Sequence, residues 1–109
     1  GTANADWGDV YYCQMTSNFL ITIEGKENSY KLEKFQFKLD QAKKSMVFGS
    51  GGFFNNSVVG LTEGKSFPAS EFWGAYDGYG IILFEKGNFL FATVNPEVGV
   101  LIRADCDKF

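Results

Sequence analysis

Alternation of apolar and polar residues is the dominant pattern along the chain. It is most regular over Tyr30 to Asp40, where Phe35, Phe37 and Leu39 fall on one face and Lys34, Gln36, Lys38 and Asp40 on the other. That period of two predicts a half-buried strand. Asp9 to Met15, carrying Val10-Tyr11-Tyr12-Cys13, reads as a first strand. Asn18 to Glu24 reads as a second, with Phe19, Ile21 and Ile23 on one face. Gly25-Lys26-Glu27-Asn28 is a turn signal. Further strands are predicted at Met46-Val47-Phe48, Ser57 to Thr62 and Phe72 to Tyr76. The strongest hairpin joins Gly80–Glu85 to Asn88–Val94 through Lys86-Gly87. Ile81-Ile82-Leu83-Phe84 is apolar on both faces, which predicts a second layer over this strand. Val98 to Ala104 is the last strand, and Ser66 to Glu71 reads as a loop.

About eight short strands with hairpin-length connections give an all-β fold: a small antiparallel meander, closed into a barrel, with a β-sandwich as the alternative. The two cysteines favour closure. Cys13 lies on the first strand and Cys106 just past the last, and a meander barrel pairs its first and last strands. A Cys13–Cys106 bridge enclosing so long a loop would stabilise by roughly 4–5 kcal/mol in the chain-entropy model. It would also require an oxidising compartment.

Composition supports the fold class and removes chemistry. The 109 residues are 45% hydrophobic and include 12 Phe and 13 Gly but only 2 Pro, the profile of a turn-rich β-domain with material for a core. This length predicts one domain. We assign residues 8–109 to a single β-domain and residues 1–7 to a tail, in which Ala3-Asn4-Ala5 has the small-x-small form of a signal-cleavage remnant behind a tag scar. The chain has no His, which excludes Ser-His-Asp triads, Cys–His dyads and His-based zinc sites. Two cysteines at this spacing do not make a zinc site either, so no metal or cofactor is expected. A formal charge of −3 argues against nucleic acid as a partner. No apolar run is long enough for a transmembrane segment. The cysteines and the Ala3-Asn4-Ala5 pattern together predict an exported protein, periplasmic or extracellular.

Few motifs carry chemistry. Gly49-Ser50-Gly51-Gly52 follows a strand, but position 54 is Phe, so it lacks the glycine spacing of a dinucleotide-binding loop and reads as a flexible turn. Gly64-Lys65-Ser66 ends like a phosphate-binding loop, but the required first glycine is Val59. Asp105 and Asp107 flank Cys106 but do not reach the ligand count of a calcium loop. The carboxylates lie at turns or on polar strand faces, and nothing singles out a catalytic pair. The most suggestive residues are aromatics beside turns: Trp73, Tyr76 and Tyr79, and Phe53 and Phe54 after the Gly-rich turn. Partly exposed rings of this kind stack on sugars or anchor a partner.

Two resemblances rest on short motifs. Tyr11-Tyr12-Cys13, the run Tyr30 to Leu39 and Cys106-Asp107-Lys108-Phe109 resemble a group of small exported proteobacterial proteins, which implies an exported domain and no particular activity. Tyr11-x-Cys13, Ser50-Gly51-Gly52-Phe53 and Phe84-Glu85-Lys86-Gly87 are similar to motifs of the periplasmic C-type lysozyme inhibitors, small eight-stranded barrels. That resemblance implies that Ser50 and Lys86 enter the cleft of a lysozyme, although the two motifs are farther apart here than in that family.

The expectation is therefore a non-enzymatic, exported β-barrel that binds a small apolar ligand, a glycan or a protein partner. The alternative is an inhibitor of a secreted enzyme.

Overall fold

A computed structural model describes residues 5–64, 72–76 and 80–109, with only the backbone of residues 62–64, 72 and 76. Among these are nine strands and no helix: β1 (Val10–Thr22), β2 (Glu27–Ser29), β3 (Lys34–Asp40), β4 (Ser45–Phe48), β5 (Val58–Gly64), β6 (Phe72–Tyr76), β7 (Gly80–Glu85), β8 (Asn88–Val94) and β9 (Val98–Lys108). All neighbours are antiparallel, in the order β2-β1-β3-β4-β5-β6-β7-β8-β9. Pairing of β1 with β9 closes eight of them into a barrel, and β2 is an extra strand on the far half of β1. The sandwich alternative is thereby set aside.

The closing seam is the longest in the fold, running from Tyr11↔Lys108 to Thr22↔Val98. Cys13 and Cys106 face each other across it and form a disulfide over a sequence separation of 93. A bond of this kind indicates an oxidising environment.

That seam also changes the reading of the first two predicted strands. They are one strand, interrupted between Met15 and Ser17 by a bulge. The extra residue reverses the facing of the positions beyond it. Cys13 and Met15 point inward, but past the bulge Asn18 and Leu20 pair with the inward Ile102 and Val100. Phe19 and Ile21 therefore face outward. Arg103 tethers this site, donating to Thr16 Oγ1 and Asn88 Oδ1 while pairing with Asp105 at 2.7 Å. Glu27-Asn28-Ser29 is strand rather than turn; the turn before it centres on Gly25, at φ 92°.

The predicted second layer over β7 is absent among the described residues. Ile82 and Phe84 point into the barrel, while Ile81 is 50% exposed. Its neighbours in register, Ala92, Leu101 and Phe19, continue an apolar row along the outer wall.

An eight-stranded interior is just wide enough to be filled by side chains, and aromatic rings fill this one. Phe37, Phe84, Phe89, Leu39, Met46 and Ile102 are fully buried. Phe37 contacts the rings of Tyr11, Phe48, Phe84 and Phe89 at centroid distances of 5.5, 5.7, 5.1 and 6.0 Å, typical of such clusters. Antiparallel turns alternate between the two ends. The β3–β4 and β7–β8 turns lie at one end, here the base. The β4–β5 loop and β8–β9 turn lie at the other, the mouth.

The base is closed by the segment expected to be a tail. Ala5 and Trp7 pack against the core, and the Trp7 ring meets Trp73 edge-on at 4.8 Å. Gly8 N–H donates to the Leu39 carbonyl, holding this segment across β3. Packing onto the core thus reaches back at least to Ala5, ahead of the expected boundary at residue 8.

Candidate functional site

The mouth is covered by the nine residues 49–57 that join β4 to β5. Gly51 and Gly52 adopt φ of 96° and 73°, open to glycine but costly for side-chain residues. Asn55 Oδ1 accepts a hydrogen bond from Gly51 N–H at 2.6 Å. Asn56 N–H reaches back to the Gly49 carbonyl, and Ser57 N–H to that of Phe54. The Gly-rich turn is thus tied by hydrogen bonds within the loop. Its effect is to aim two consecutive rings differently.

Phe54 points down into the barrel and is only 5% exposed. It stacks on Phe48 at 4.7 Å and meets Phe35 and Phe89 at 5.0 and 5.4 Å. Phe53 stays at the rim, 49% exposed, and leans edge-on against Phe91 at 5.4 Å. Between them lies an open depression of about 270 Å3, lined by Phe53, Phe54, Val58, Val59, Ile82 and Phe91, with Ser57 and Gly80 at its border. Apart from Ser57, the side chains around it are apolar, so it can take an apolar group, while Ser57 and backbone groups supply its polar surface.

Among the described residues, the expected binding residues Phe53 and Phe54 come together at this depression. Trp73 lies at the base, 8% exposed and packed on Trp7, so its ring belongs to the core. The reason is alternation: Trp73 and Ala75 are the inward positions of β6. Tyr76 pairs through its backbone with Ile81 at the mouth end; its side chain, and Tyr79 altogether, lie outside the described residues. Val58, Val59, Ile82 and Phe91 do not stand out in the sequence as site residues. A signal for two of them exists there. Ile82 and Phe91 are directly opposite in the hairpin read from Lys86-Gly87, so any ring beside one touches the other.

No family model, no curated protein and no solved structure matches the chain. The chemistry of the site rests on its geometry.

Ser50 and Lys86 do not share an end of the barrel. Ser50 belongs to the mouth loop. Lys86 sits in the β7–β8 turn at the base, where Lys86 and Gly87 take φ of 49° and 79°, a tight hairpin turn. Among the described residues no group of three or more Cys, Asp or Glu is placed to hold a metal ion. Among the described residues, the Tyr11 phenol departs from its ordinary range. Burial pushes the Tyr11 phenol up to about 12, assisted by the negative charge of Asp9, whose carboxylate accepts its hydrogen bond at 3.4 Å. Tyr11 lies inside the wall near the base and away from the mouth.

Proposed function

We propose that this protein is an exported, non-enzymatic binding module whose barrel mouth receives one apolar group. The observation that carries the reading is the open depression beside a half-exposed Phe53, in a barrel whose interior is filled by aromatic rings. Its volume of about 270 Å3 sits at the lower edge of small-molecule sites, which span about 300–1,000 Å3. The occupant is then one ring or one branched side chain, such as the anchor residue of a protein partner, rather than a large lipid. Rings fixed by neighbouring rings lose little entropy on contact, which suits Phe53 to this task. The disulfide supports a periplasmic or extracellular setting.

Saturation-transfer NMR with indole tests the reading. Wild-type protein should transfer saturation to indole, and Phe53→Ala, which removes the half-exposed ring at the rim, should abolish the transfer while the fold persists. Equal transfer to both proteins would refute the mouth as the site.

A further inference from the structure

A second, chemically different site lies on the outer wall. Where β3, β1 and β9 run side by side, two registered rows face solvent: Gln36–Tyr12–Asp107 and Lys34–Gln14–Asp105. Strand spacing and rise make this grid about 10 by 7 Å. It floors a groove of about 570 Å3, with Ser50 at its border, well within the range of about 300–1,000 Å3 for small-molecule sites.

The polar groups of the groove are largely uncommitted. The Tyr12 hydroxyl, the Gln36 amide, the Lys34 ammonium and the Asp107 carboxylate have no hydrogen-bond or ion-pair partner among the described residues. Gln14 uses its Nε2 on the Met15 and Glu33 carbonyls and keeps its Oε1 free. The charges cancel: Asp105 is paired with Arg103, and Lys34 offsets Asp107. What remains is a nearly neutral surface on which planar amide and carboxylate groups stand beside the Tyr12 ring, with Cys13 and Phe35 also lining the groove. Tyr12 is 48% exposed and is propped from the side by the Phe109 ring at 5.5 Å.

We infer that this groove binds a neutral saccharide. A net-neutral grid disfavours an ion. Amides and carboxylates supply both donors and acceptors for vicinal hydroxyls, and a fixed ring offers its face to the C–H side of a sugar. The inference is independent of the apolar mouth, which lies around Phe53 and Phe91.

The test uses backbone-amide NMR of the disulfide-bonded protein with cellobiose, maltose and N,N′-diacetylchitobiose, each at about 10 mM, tenfold above a Kd of about 1 mM. At least one should move the amides of Tyr12, Gln14, Gln36 and Asp107 together and leave those of Phe53 and Phe91 in place. Tyr12→Ala should weaken that ligand at least about tenfold and Tyr12→Phe by less than about threefold. Should Tyr12→Ala fail to fold, Asp107→Ala decides, with a loss of at least about threefold expected. No response to any of the three sugars, shifts confined to the mouth, or unchanged affinity in the deciding variant would overturn the inference.

Discussion

The two ends of this barrel are covered by aromatic residues in different ways. At the base, Trp7 arrives from outside the sheet and lies edge-on against Trp73, and the pair belongs to the packed core. At the mouth, a pinned loop turns Phe54 into the core and leaves Phe53 half exposed beside a depression. A lone ring at the end of a chain segment can settle wherever packing is best. The two successive rings of the mouth loop point to different sides, so Phe54 covers the mouth while Phe53 stays at the rim. The mouth therefore leaves an apolar ring exposed, the feature on which the proposed binding role rests, while at the base the rings pack on one another.

The largest effect should come from the ring that covers the mouth. Phe54→Ala should cost about 3–5 kcal/mol in denaturant unfolding, the range for a fully buried ring. A loss below about 1 kcal/mol would mean that Phe54 is not a core residue. Next is the seam between the ends. Replacing Cys13 and Cys106 together with alanine should lower stability by about 2–5 kcal/mol, and free-thiol titration of the wild-type protein without reductant should find none. Trp7→Ala at the base should cost about 1–2 kcal/mol, since that ring is partly buried against the core, and should leave indole binding untouched. Phe53→Ala should behave in the opposite manner, with a stability change below about 1 kcal/mol and loss of indole binding.

A further effect appears only at alkaline pH. Tyr11 holds its proton to about pH 12 when folded, against 10.0 for the ordinary phenol. Below pH 10 both states are protonated and its contribution is complete. Above pH 10 the unfolded chain releases the proton first, so stability falls as pH rises from 10 towards 12. Absorbance at 295 nm should show Tyr11 as a late-titrating phenol, and Tyr11→Phe should flatten the stability loss over this window.

Much of this architecture is legible in the sequence where local pattern and tertiary demand coincide. β7, Lys86-Gly87 and β8 fall at the predicted residues because alternation and turn chemistry agree. β3 is nearly as clear, starting at Lys34 within the predicted run from Tyr30. The bulge near Thr16 is not legible, because it arises from the long pairing of β1 with β9, and it sends Phe19 and Ile21 outward despite a faultless alternating pattern. β2 is polar throughout and has no pattern to read. At the site, Phe53 and Phe54 stand out as aromatics after a Gly-rich turn, but which of them is buried depends on the φ values of Gly51 and Gly52 and the Asn55 hydrogen bond. Trp73 shows the reverse: composition makes it a candidate, while its phase on β6 with Ala75 makes it core.

The most direct test of the difference between the ends is a residue-resolved amide NMR titration of the wild-type protein with indole. Shifts should concentrate at Phe53, Val58, Ile82 and Phe91 and leave Trp7 and Trp73 unmoved. Shifts centred on Trp7 and Trp73, or none anywhere, would contradict that difference.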